Sequence, residues 1–168
     1  VWLLTQIPIA ARQENFATEL RKLGLQVGNR PSLIEVVTAM TEAVDRHVAR
    51  VGGRTDLGEM AQLSAAESLN AVAGRELPDL FGATPEKAQA ALGGLGTVSQ
   101  FAVLARDFFA RLSGRQLSYF LSRELSQHVG VNSRFHTIRD HRDFETALDL
   151  HCREASRIIK EFSGEWFS

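Results

Sequence analysis

Apolar residues recur along this chain at spacings of three and four, and strict alternation over several residues is hard to find, so the pattern predicts helices throughout. A first helix is expected to begin between Pro8 and Gln13 and to run to Leu23, with Phe16, Leu20 and Leu23 on one face and Gly24 as its stop. Val1 to Ile7 is left as an extended lead-in. The next start signal is the sharpest: Ser32 is followed three residues on by Glu35, the pattern in which each side chain caps the other's backbone N–H. Leu33, Val37, Met40, Val44, His47 and Val51 then form a stripe that Gly52-Gly53 ends. It is read as one buried face within a bundle, because it is too short for a coiled-coil seam.

Two more capping patterns, Asp56 with Glu59 and Ser64 with Glu67, predict either two short helices or one bent helix over 56–74. Pro78, Gly82 and Pro85 mark a turn-rich connection. Thr84-Pro85-Glu86 opens a short helix that stops at Gly93-Gly94, since Thr can cap and Pro needs no N–H at the first helical position. From Thr97 a strong stripe of Phe101, Ala105, Phe108, Phe109 and Leu112 continues as Leu117, Phe120, Leu121 and Leu125 beyond a kink or tight turn at Ser113-Gly114. Phe108 and Phe120 sit centrally in it and are expected to be buried. A link around Gly130 to Ser133 precedes a last helix, placed from about Asp140 to Phe162 with Gly164 as its stop. The fold class that follows is all-α, a single globular bundle of about six or seven helices with short connections.

Composition agrees with a packed domain, because 44% of the 168 residues are hydrophobic and only 23% are charged. The 19 basic and 20 acidic side chains nearly cancel, which removes any global field for nucleic acid or an anionic membrane. Cys152 is the only cysteine, so an intrachain disulfide and a cysteine-rich zinc site are both excluded, and a reducing, cytoplasmic setting is expected. The longest apolar stretch, Leu92 to Leu112, carries Gln100, Arg106 and Asp107 and is read as a core helix with no membrane span. Without an initiator Met, residues 1–168 are read as one helical domain cut from a longer protein.

Candidate chemistry is sparse. The most unusual run is Arg134, Phe135, His136, Thr137, Ile138, Arg139, Asp140, His141 and Arg142, at the start of the last predicted helix, where free N–H groups and the helix dipole favour an anion. Arg134, His136, Arg139, His141 and Arg142 are therefore the candidate ligand-binding residues for a phosphate or carboxylate. The plainer alternative is pairing of these arginines with Asp140, Asp143 and Glu145. His151 shares a register with Phe144, Leu148 and Phe162, so it is expected to point inward and is the candidate for an acid–base residue. His47 and His128 also fall on apolar stripes and are read as neutral core histidines.

No metal or cofactor is assigned. His136, His141, Glu145, Asp149 and His151 do not form a recognised ligand spacing, and no His-Glu-x-x-His pair occurs. Cys152 and His151 diverge by about 100° as adjacent residues of a helix, which argues against a thiolate–imidazole pair. Gly93-Gly94-Leu95-Gly96 lacks the ending of a phosphate loop and is read as a helix connector. A helix-turn-helix over 56–74 would have no Lys or Arg before Arg75 and would present Glu67 to phosphate, so nucleic acid is not expected as a partner.

The expectation for function is a non-enzymatic interaction or regulatory module of a larger intracellular assembly, engaging a protein partner, a subunit or another domain of the same chain by helix packing. A second class is a sensor of an anionic small molecule or nucleotide at Arg134–Arg142. A third is an enzyme using an inward His151. Homo-oligomerisation is left open.

Overall fold

The computed structural model describes residues 1–77, 83–125 and 137–162. Pro78, Gly82, His128, the link at Gly130 to Ser133, Arg134, His136 and Gly164 lie outside the described residues. Among the described residues the elements are all helical: α1 Trp2–Ala11, α2 Phe16–Lys22, α3 Leu33–Val51, α4 Asp56–Gly74, α5 Pro85–Gly94, α6 Val98–Leu125, α7 Ile138–Ala155, a 3-10 turn Ser156–Ile158 and a short α8 Ile159–Phe162.

The first departure from expectation is α1. Val1 to Ile7 is almost wholly helical, and Pro8 lies inside the helix. Proline there removes one backbone hydrogen bond, and burial of Leu4, Ile7, Ala10 and Ala11 outweighs that loss. The far end of α1 is closed from another element: Gln89 of α5 donates Nε2–H to the carbonyls of Ala11 and Gln13 at 3.2 and 3.0 Å. Arg12 then donates to the Gly96 carbonyl at 2.7 Å. A Cβ on Gly96 would stand 2.7 Å from the Arg12 side chain and 3.1 Å from the Pro8 carbonyl, so the glycine connector allows α1 to seat against the α5–α6 corner.

Helix α2 ends as expected at Gly24, where φ is +85°. Leu25 N–H returns to the Leu20 carbonyl at 3.0 Å and Gly24 N–H to that of Arg21 at 2.9 Å, the two bonds of a Schellman ending. Leu20 and Leu25 are both buried, so the same turn that closes the helix also fills the core.

At the start of α3 the Ser32 hydroxyl accepts from Glu35 N–H at 3.2 Å. The Glu35 carboxylate accepts from Gly28 N–H at 2.5 Å. Glu35 thus ties the preceding loop to the helix, and the predicted reciprocal box is formed only on the serine side.

Residues 56–74 form one helix. Its cap is Thr55, whose hydroxyl accepts from Gly58 N–H at 3.1 Å. Ser64 is fully buried inside the helix and caps nothing. Thr84 caps α5 as expected, accepting from Lys87 N–H at 3.4 Å. α5 and α6 meet at 93°, so the apolar run from Leu92 to Leu112 is divided by a corner. Helix α6 continues through Ser113-Gly114 without the expected turn. No single helix among the described residues is long and apolar enough to cross a membrane.

Helix α6 is the axis of the C-terminal half. It packs on α4 and on α7, and both run antiparallel to it. On one side Asp56 meets Tyr119 while Glu67 meets Arg111 and Arg115. On the other, Arg153 lies beside Arg106 and Asp149 beside Gly114. α3 covers the remaining side of α4, and α1 packs on α5. The largest fully buried side chains include Ile7, Leu20, Met40, Leu69, Phe101 and Phe108, so every helix from α1 to α6 except α5 supplies at least one of these six, and α5 adds Leu92.

Candidate functional site

The predicted anion segment is only partly brought together. Thr137 caps α7: its hydroxyl accepts from Asp140 N–H at 3.2 Å, and the Asp140 carboxylate accepts from Thr137 N–H at 2.9 Å. A carboxylate of the chain itself therefore occupies the first-turn position where the helix dipole favours a negative charge. Arg139 and Arg142 are exposed, and His141 is half-buried with Nδ1 3.8 Å from Glu145.

His151 is exposed, which corrects the expectation that it points inward. α7 is turned so that His141, Leu148 and Cys152 approach α6, and the residue before Cys152 is rotated away by about 100°. Cys152 is 2% exposed. Burial pushes its thiol above the ordinary value, and the nearby Asp149 charge adds to the shift. It is a structural thiol held neutral, with the Ser156 hydroxyl donating at 2.6 Å to its backbone carbonyl. His47 is exposed as well, which corrects its reading as a core residue. Among the described residues no group of three or more His, Cys, Asp and Glu side chains is placed to hold a metal ion.

What the sequence did not reveal is a change of burial along α6. Phe101, Ala102, Leu104, Ala105, Phe108 and Ala110 are all buried. From Arg111 to Ser122 no side chain is, although Leu112, Leu117, Tyr119, Phe120 and Leu121 fall there. Leu117 is 40% exposed and Phe120 58%, so the inward position expected for Phe120 is corrected. Residue 120 lies about 120° round the helix from residue 108, away from the side that meets α4.

Polar contacts position this distal half where apolar packing thins out. Arg111 spans Asp107 at 2.6 Å and Glu67 at 2.9 Å, and Arg115 reaches Glu67 at 2.5 Å. Tyr119 donates to Asp56 at 2.5 Å. Desolvation opposes the charge on Arg111, and the two carboxylates more than offset it, which raises its pKa. The network locks α4 to one flank of α6 and leaves Leu117 and Phe120 on another. Ile138, at the start of α7, is 69% exposed.

The chain matches no protein-family model, no curated protein and no solved structure. The class defined by the fold is an all-α helical bundle.

Proposed function

We propose that this chain is a non-enzymatic interaction module of a larger intracellular assembly, and that it engages a protein partner or subunit through the distal half of α6. The observation that carries this reading is the contrast within one helix. Six apolar side chains are buried over Phe101 to Ala110, whereas Leu117 and Phe120 remain open to solvent on the same element. Large apolar side chains at the surface lose hydrophobic stabilisation that a partner helix can supply, and aromatic anchors dominate such contacts. The charged network of Glu67, Arg111 and Arg115 holds α4 on the other flank of α6 and so leaves Leu117 and Phe120 open to a partner.

The test is site-specific photocrosslinking from position 120 of the full-length protein in its host. One defined crosslinked partner is expected, lost with Leu117→Asp and retained with Leu63→Asp, which alters an exposed leucine of α4. Absence of any specific crosslink, or equal loss with both variants, would count against the module. Thermal melts of both variants should fall by no more than about 4–8 °C, because each leucine is only partly covered.

A further inference from the structure

The stripe on α3 divides into two parts. Leu33, Val36, Ala39 and Met40 are buried, but from Met40 onward the same helix lines a hollow of about 500 Å³ closed by the start of α1, the end of α2 and Ala65 of α4. Trp2, Leu23, Met40 and Val44 form its apolar wall, and Trp2 is 60% exposed beside the opening. Arg46, His47 and Arg50 line it as well, and none of the lining residues among the described ones is acidic.

These basic groups are arranged on the last turns of one helix. Arg46 donates from Nη2 to the Gly24 carbonyl at 2.8 Å, and its Nη1 lies 3.7 Å from Glu42. It is thereby pinned to the end of α2. Arg50 donates from Nε to the Arg46 carbonyl at 3.1 Å. His47 is exposed one turn before Arg50. The C-terminal end of a helix dipole favours cations, so positive charge at the mouth is stabilised without a ligand.

We propose that this hollow binds one fatty carboxylate, with its hydrocarbon chain against Trp2, Leu23, Met40 and Val44 and its head group at Arg50 and His47. The volume falls within the usual range for small-molecule sites, about 300–1,000 Å³. An apolar wall alone would accept any oil of suitable size. The Arg50 guanidinium adds selection for an anion, and a carboxylate matches its fork. The apolar wall disfavours a compact polar anion such as inorganic phosphate, which would gain nothing from Leu23 or Val44. Covering the exposed ring of Trp2 is a further gain that only an apolar ligand provides.

The experiment is calorimetric titration of the whole chain with dodecanoate below its micelle concentration, with 1-dodecanol and inorganic phosphate as comparisons and tryptophan emission as a second readout. Dodecanoate is expected to bind once per chain and to shift the emission to the blue. The alcohol should bind at least about tenfold more weakly, and phosphate should give no heat. The double variant His47→Gln, Arg50→Gln is expected to weaken dodecanoate about tenfold while leaving the alcohol unchanged. Ala43→Phe, which places a ring in the hollow, should abolish both. Because His47 and Arg50 are exposed, the double variant should melt with the parent chain even if Ala43→Phe does not. Absence of dodecanoate binding, or binding unaffected by the double variant, would overturn the proposal. So would binding to phosphatidylglycerol vesicles without binding of monomeric dodecanoate, which would assign these residues to a membrane surface.

Discussion

Phe108 and Phe120 offer a controlled comparison, since both are phenylalanines on α6 and both lie on its apolar series, yet one is 1% exposed and the other 58%. Truncating Phe108 to alanine removes its buried ring and leaves a cavity beside Phe109, whose ring meets it edge-on with centroids 5.0 Å apart. Such changes cost about 3–5 kcal/mol. Phe120 keeps roughly two fifths of its surface covered, and a fully buried phenylalanine side chain contributes about 1.5–3 kcal/mol by transfer alone, so Phe120→Ala should cost about 1 kcal/mol or less. For a chain of 168 residues each kcal/mol corresponds to about 2–4 °C in Tm. The expected drops are therefore about 6–20 °C for Phe108→Ala and at most about 4 °C for Phe120→Ala. Urea melts followed by circular dichroism, with the slope checked for constancy, give the free energies directly. Equal losses at the two sites would refute the conclusion that covered packing on α6 ends near Ala110, and with it the basis of the proposed interaction surface.

Ser64 and Ser68 are fully buried on α4, and neither hydroxyl has a hydrogen-bond partner among the described residues. Ser64→Ala and Ser68→Ala should therefore be neutral or stabilising by up to about 1 kcal/mol in denaturant melts, and a clear loss from either would reveal a partner for the hydroxyl. Cys152 has a raised pKa because burial disfavours its thiolate, so the folded chain holds that proton more tightly than the unfolded chain does. This contribution to stability is complete below the ordinary thiol value of about 8.5 and is lost as pH climbs toward the folded value. The fall in Tm at alkaline pH should be smaller in Cys152→Ala, and an identical fall in both proteins would remove the thiol as its source. If Arg139 and Arg142 hold an anion at the start of α7, titration with phosphate-bearing ligands or acidic peptides should give heat that weakens with salt and disappears on reversal of both to Glu. No heat at low salt would leave the Thr137–Asp140 box as the complete account of that helix end.

Features governed by local chemistry were legible in the sequence. Ser32, Thr84 and Gly24 act where they were expected to act, because a cap or a left-handed glycine depends only on the few residues around it. Thr137 with Asp140 three residues on is an equally local cap, and it sets the helix start at Ile138, before the point near Asp140 that apolar periodicity indicates. Features decided by neighbours were not legible. Pro8 is tolerated because tertiary burial holds α1 in place. Ser64 resembles a cap but is buried along the face that α4 presents inward. Ser113-Gly114 breaks nothing because α4 and α7 flank α6 on both sides of it. In α7 apolar residues are few, so Phe144 and Leu148 fit two rotations of the helix equally well, and packing on α6 selects the one that buries Cys152 and exposes His151.

The same distinction explains why the hollow at α3 was hidden. Met40, Val44 and His47 were visible as a continuous stripe, and periodicity shows which side of a helix is apolar but not how far its neighbours extend along it. Leu33, Val36 and Ala39 are covered by packed helices. Beyond Met40 the wall is completed by residues more than 15 positions away in sequence on either side, Trp2 and Leu23 before it and Ala65 after it. A site assembled from four elements leaves no spacing to find. Its one local trace is His47, a polar residue on the apolar face between Val44 and Val51, with Arg46 and Arg50 on the adjoining flank of the same helix. A purely buried stripe would have stayed apolar to its end, and a purely solvent-facing one would not have carried Met40 and Val44. A histidine on the apolar face with arginines on its flank is what a helix needs if its first half supports the core and its second half borders an amphiphilic ligand.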